Sequence, residues 1–104
     1  MDCKLDNKSF NDLEHDIELI AIKYFDCLEK LTKNLKHKDA YATHVKRVKE
    51  AYDKLDMLEQ RMINNEFFYQ DYPDWWRNVY SKSTFYRIKK TSMLHFLEAF
   101  NGEQ

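Results

Sequence analysis

The chain has 104 residues, one glycine, one proline and a formal net charge of −1. A single glycine excludes the glycine-rich loops that cradle phosphates and dinucleotides, and so few turn residues disfavour an all-β fold. With 34% charged residues, the composition instead predicts long helices, and the periodic segments described below predict an all-α fold of about five helices.

The N-terminal sequence carries no sign of a membrane or export segment. No apolar run reaches the roughly 18 residues that a membrane span needs. Met1–Lys4 lacks the apolar core of a signal peptide, so none is expected. The two cysteines, Cys3 and Cys27, are too few for a disulfide framework and are interpreted as reduced thiols in a cytoplasmic protein.

The first predicted helix runs from Phe10 to about Leu35, and either Ser9 or Asn11 can cap it. Its apolar residues recur every three or four positions and so form one stripe. This Phe10–Leu35 stripe either packs within the chain or forms the seam of a homodimer. Its members are Phe10, Leu13, Ile17, Ile20, Tyr24, Cys27 and Leu31, widened by Ala21, Leu28 and Leu35.

A polar break at residues 36–39 precedes a second helix with one apolar face from Tyr41 to Leu55. Asp56 stands three residues before Glu59, the spacing of a reciprocal capping box, and predicts a new helix that continues towards Phe67. The chain is therefore expected to comprise a helical region at residues 1–45 and a second region at residues 46–104, together one compact unit.

Pro73 predicts a turn over residues 67–73, because proline lacks a backbone donor and suits the first position of a helix. A short helix is predicted over Asp74–Tyr80, then a turn at Ser81–Ser83 with cap chemistry, and then a last helix from about Ser83 to Phe100 that ends at Gly102. This order of elements is that of a helix-turn-helix. The last helix is expected to bury Phe85, Ile88, Ser92 and Phe96 on one face.

Residues 81–97 contain four basic residues and no acidic one, a net charge of +4 in an otherwise acid-rich chain. Arg87 and Lys90 are the strongest candidates for base or phosphate contacts, because arginine can bridge guanine O6 and N7. Lys82 and Lys89 are candidates for phosphates. The predicted DNA-binding residues are Lys82, Ser83, Thr84, Tyr86, Arg87, Lys89 and Lys90.

Two segments carry a resemblance to known regulators. Asp53–Ile63 resembles the opening helix of region four of bacterial sigma factors. Tyr80–Lys90 is similar to the "S-x-S-T-Y-Y-R-x-K-K" helix of phage transcriptional regulators of the ArpU and RinA families. Over about residues 46–100, this resemblance implies a transcription regulator that recognises double-stranded DNA through the Ser83–Lys90 helix. Contact with RNA polymerase is left open.

The alternative is a helical protein–protein interaction module without a nucleic-acid role, in which the Phe10–Leu35 stripe is the interface. The four histidines are scattered and no Cys-x-x-Cys pair occurs, so no metal site is expected. No cofactor is predicted, and the serines and carboxylates occupy cap or solvated positions, so the chain is not expected to be an enzyme.

Overall fold

The computed structural model describes residues 8–33 and 38–102, and in these ranges the chain is helical without a strand. The all-α prediction is confirmed, but these ranges hold four α-helices rather than about five. The elements in chain order are α1 (Phe10–Thr32), α2 (Lys38–Asp53), α3 (Met57–Ile63), one turn of π-helix (Asn64–Phe68, the π turn) and α4 (Lys82–Asn101).

Local capping chemistry sets the helix ends. Ser9 begins α1, where its hydroxyl accepts a hydrogen bond from the Asp12 amide at 3.1 Å. The Asp56–Glu59 capping box is present in full at the start of α3. Gly102 ends α4 with a φ of 77°, a conformation that glycine adopts without steric cost.

Parts of the sequence predictions fall on residues beyond the described ranges. These are the Met1–Lys4 segment, which includes Cys3, the end of the first predicted helix at Leu35, and part of the break at residues 36–39.

The short helix predicted over Asp74–Tyr80 is wrong. The segment is a series of turns, in which the Trp75 amide donates to the Tyr72 carbonyl and the Arg77 amide donates to the Asp74 carbonyl. The Val79 amide likewise donates to the Trp76 carbonyl, and each of these three hydrogen bonds joins residues three apart instead of the four that an α-helix requires. The turns allow both indoles to contact Phe85.

The apolar stripe of α1 lies inside the chain's own core. Leu13 and Ile17 are fully buried there, together with Met93 and Phe96 of α4. The residues predicted for a homodimer seam are therefore packed within the chain, and this stripe is not available to a second copy. The main hydrophobic core cluster consists of Leu13, Ile17, Tyr24, Cys27, Val45, Val48, Ala51, Leu55, Ile63, Phe67, Met93, Phe96 and Leu97.

Two side chains of α2 attach it to its neighbours. Arg47 donates a 2.8 Å hydrogen bond to the Phe100 carbonyl and lies 4.3 Å from the centre of the Phe100 ring, at the end of α4. His44 is buried with Nε2 at 3.2 Å from the Ile20 carbonyl of α1. No helix in the described ranges is long and apolar enough to cross a bilayer.

Candidate nucleic-acid interface

The N-terminus of α4 begins at a fixed point because Ser81 caps it. The Ser81 hydroxyl accepts a hydrogen bond from the Thr84 amide at 3.3 Å and donates to the Thr84 hydroxyl at 2.9 Å. Thr84, a predicted DNA-binding residue, therefore uses its side chain within the cap and is only half exposed. The predicted start of this helix was one residue late, but the predicted cap chemistry of residues 81–83 is present.

Behind the cap, α4 presents a polar face to solvent over its first three turns. The cations on this face are Lys82, Arg87 and Lys90. Among the residues that the structure describes, no carboxylate forms an ion pair with any of them. We call this surface the basic face. Its exposed residues are Lys82, Ser83, Tyr86, Arg87, Lys90 and Thr91.

Lys89 does not belong to the basic face, which corrects its predicted exposure. Its side chain is only 8% exposed, and its ammonium lies 2.8 Å from Glu14 Oε2 and 2.9 Å from Glu66 Oε1. Burial by itself lowers the pKa of a lysine. Here the hydrogen bonds and negative charges of Glu14 and Glu66 outweigh that effect and raise the pKa of Lys89. Lys89 thus stays a cation but is unavailable to a phosphate.

The buried face of α4 is rotated relative to the prediction, which explains the position of Lys89. Met93 is fully buried, whereas Ile88 is only half-buried. Lys89 lies four residues from both Phe85 and Met93, so it stands in the middle of the buried face. This i, i+4 spacing between two apolar residues was the sequence signal for its burial. The residues that neutralise it, Glu14 and Glu66, were missed.

The carboxylates beside α4 are engaged with other partners. Besides binding Lys89, Glu66 accepts a 2.9 Å hydrogen bond from Trp75 Nε1 through its second oxygen. Glu59 contacts His95 Nδ1 in an ion pair that forms when the imidazole is protonated. As a result, these acidic side chains are directed into the fold or towards the C-terminal half of α4, and the basic face keeps its positive potential.

The turn segment before α4 packs on it through aromatic rings. Trp76 stacks on Phe85 with ring centres 4.2 Å apart and an interplanar angle of 16°, and Trp75 contacts the same ring edge-on. Arg77 is exposed, lies 5.7 Å from the Trp76 ring centre and pairs with Asp74 at 2.9 Å. Phe85 therefore joins the turn to the helix that carries the basic face.

Tyr86 is the aromatic residue of the basic face. Its side chain is 44% exposed, and its ring contacts Phe10 and Phe85 edge-on. These two contacts fix the ring plane while leaving part of it open to solvent, so Tyr86 can make a further contact without losing much side-chain entropy.

No group of histidine, cysteine or acidic side chains within residues 8–33 and 38–102 has the arrangement of a metal site. Comparisons with family models, with curated proteins and with solved structures found no match to this chain. The resemblance to sigma region four and to the ArpU and RinA regulators therefore stays a prediction.

Proposed function

We propose that this protein is a small DNA-binding regulator of transcription and that α4 is its DNA-reading helix. The observation that carries this proposal is the basic face. Three cations, Lys82, Arg87 and Lys90, stand exposed on one side of α4 with no ion-pair partner in residues 8–33 and 38–102, while Lys89 is neutralised inside the fold.

The chemistry of the basic face suits the major groove. A helix that enters this groove contacts base edges mainly through residues in its N-terminal half, and all six exposed residues lie there. Arg87 has the planar fork that binds guanine O6 and N7, and Ser83 can bind a base edge or a phosphate oxygen. Tyr86, held by Phe10 and Phe85, suits an apolar contact with a thymine methyl or a sugar.

The helix-turn-helix arrangement is part of the proposal. In it, α3 and the π turn form the first helix, the residues from Tyr69 to Ser81 form an unusually long turn, and α4 is the second helix. The Trp76–Phe85 stack and the Trp75–Glu66 hydrogen bond hold this turn against both helices. They supply the rigidity that a recognition helix needs.

The test is fluorescence anisotropy with a mixed-sequence DNA duplex at several salt concentrations. Three phosphate-neutralising cations predict a slope of log K against log salt of about −3. The Arg87→Gln/Lys90→Gln variant should bind more weakly with a slope near about −1. As a control, the Lys46→Gln/Lys54→Gln variant removes the same charge from α2 and the loop after it, and should keep the wild-type slope.

Equal slopes for these two variants would show that any DNA binding does not use the basic face. Absence of binding at about 50 mM salt, where phosphate contacts are strong, would refute the DNA-binding proposal itself.

A second candidate function, a protein–protein interaction module, is favoured by a different observation. Leu19 and Ile22 of α1 are exposed by 53% and 66% although both are strongly apolar. The interface in this candidate is the outer face of α1 and not the stripe that the sequence suggested, because that stripe is buried. A variant with a disrupted basic face separates the two functions, since it should still bind a protein partner.

A further inference from the structure

The outer face of α1, directed away from the core, carries an apolar patch. Leu19, Ile22 and Phe25 follow one another at three-residue spacing and are exposed by 53%, 66% and 37%. Phe25 continues the patch towards the π turn, since its ring lies 6.0 Å from Phe68 and 5.5 Å from Tyr69. Single exposed apolar residues are ordinary, but a contiguous patch of this kind marks a contact surface.

The residues around this patch have the spacing of a helix–helix seam. His15, Leu19, Ile22 and Asp26 are all exposed and are separated by four, three and four positions. These are the inner positions of a paired helix, where alternate spacings of three and four keep side chains on one line. The two apolar members are in the centre, and the two polar members flank them.

We propose that this face binds the same face of a second copy of the chain, with the two α1 helices antiparallel. A two-fold axis between residues 20 and 21 lies near the middle of α1, so the helices overlap along most of their length. In this register, Leu19 faces the partner's Ile22, and Ile22 faces the partner's Leu19.

Charge complementarity favours a second copy as the occupant. In the same register, His15 faces the partner's Asp26 at each end of the apolar centre. Lys23 and Asp16 lie seven residues apart along one edge of the seam, and an antiparallel two-fold brings identical edges together. Each Lys23 therefore faces the partner's Asp16, so the seam has two opposite-charge pairs.

The residue pairs on either side of the apolar centre are compatible with this register. Asp12 faces the partner's Glu29, which places two acids opposite one another. However, Glu29 is bonded to Lys33 at 2.7 Å within its own chain, which offsets its charge. Asp16 similarly holds Lys8 at 2.5 Å, yet its side chain remains 31% exposed and accessible to the partner's Lys23.

The first experiment is sedimentation equilibrium of the full chain between about 10 and 300 μM. The wild-type mass should rise with concentration from 12.8 kDa towards twice that value. The Ile22→Asp variant should stay monomeric with an unchanged circular dichroism spectrum, because Ile22 is exposed in the single chain. The control, Met57→Asp, alters a residue that is 85% exposed outside the patch and should associate like the wild type.

The second experiment tests the register with charge-reversed chains. Asp16→Lys alone places two lysines opposite one another, and Lys23→Glu alone places two acids opposite one another, so each variant should associate less than the wild type. An equimolar mixture of the two variants restores both opposite-charge pairs. It should form a heterodimer that associates more strongly than either variant does alone.

A mixture that associates no better than its components would overturn the antiparallel register. A wild-type chain that remains monomeric at about 300 μM would overturn self-association and leave the patch to a different protein. Neither experiment contains DNA, so their outcomes are independent of the DNA-binding proposal.

Discussion

Lys89 Nζ lies 2.9 Å from Oε1 of Glu66 and connects α4 to the π turn. The same ammonium reaches Glu14 of α1 at 2.8 Å, so one cation joins three elements. It also lies 5.3 to 5.8 Å from the ring centres of three aromatic residues, which shield it from solvent. These rings belong to Phe10, Phe67 and Phe85.

The first prediction compares two adjacent lysines. Lys89→Met leaves the partly buried carboxylates of Glu14 and Glu66 without their cation and should lower the free energy of unfolding by about 3 kcal/mol. Lys90→Met removes an exposed cation and should change stability by less than about 0.5 kcal/mol while weakening DNA binding. Urea denaturation measures the first effect and anisotropy the second. Similar stability losses for both variants would contradict the assigned roles.

The second prediction concerns the start of α3. Asp56 accepts a 2.8 Å hydrogen bond from the Glu59 amide, and Glu59 Oε1 accepts one from the Asp56 amide. Asp56→Ala removes the cap and should lower the free energy of unfolding by about 1 kcal/mol, as judged by urea denaturation. Asp53→Ala removes an exposed acid outside the cap and is the control. Equal losses from both variants would show that charge, and not capping, is responsible.

The same capping box illustrates what the sequence could predict. Its two partners are three residues apart, and backbone geometry alone brings such neighbours together at a helix start. The Gly102 stop and the cap chemistry at Ser9 and Ser81 are local in the same sense, and the structure confirms each of them. The apolar periodicity that predicts α1, α2 and α4 is likewise local, because it depends only on the helical repeat.

Lys89 illustrates what a helical wheel does not reveal. Its partners Glu66 and Glu14 lie 23 and 75 positions away in the chain, so their approach depends on how whole helices pack. The sequence therefore predicted a phosphate contact for Lys89. The prediction of a helix around Trp75 and Trp76 was wrong for a related reason. Both indoles contact Phe85, and this tertiary contact overrides the local helical preference.

The third prediction tests the ring that joins the turn to α4. Phe85 is 3% exposed and stacks on Trp76, so Phe85→Ala should cost about 3 to 5 kcal/mol and shift the tryptophan emission to longer wavelength. Tyr86→Ala, at the adjacent exposed position, should cost no more than about 1 kcal/mol and leave the emission in place. An unchanged emission in Phe85→Ala would mean that the Trp76 stack is not maintained in solution.

The fourth prediction concerns pH and His44. Burial lowers the pKa of His44 from its ordinary 6.5, and the positive charges of Lys23 and Arg47 act in the same direction, although the hydrogen bond with the Ile20 carbonyl opposes them. Protonation therefore occurs more readily in the unfolded chain than in the folded one. Because the unfolded state then binds more protons, stability is highest above pH 6.5 and falls as the pH drops through that value.

His44→Gln can still donate a hydrogen bond to the Ile20 carbonyl but does not titrate. Its free energy of unfolding, measured by urea denaturation at several values between about pH 7.5 and 5.5, should depend less on pH than that of the wild type. His15→Gln alters an exposed histidine and, at protein concentrations below those at which the chain self-associates, should retain the wild-type dependence. If His44→Gln keeps the full dependence as well, another group must supply the protons, and the burial of His44 against Ile20 and Phe100 would not govern stability in this range.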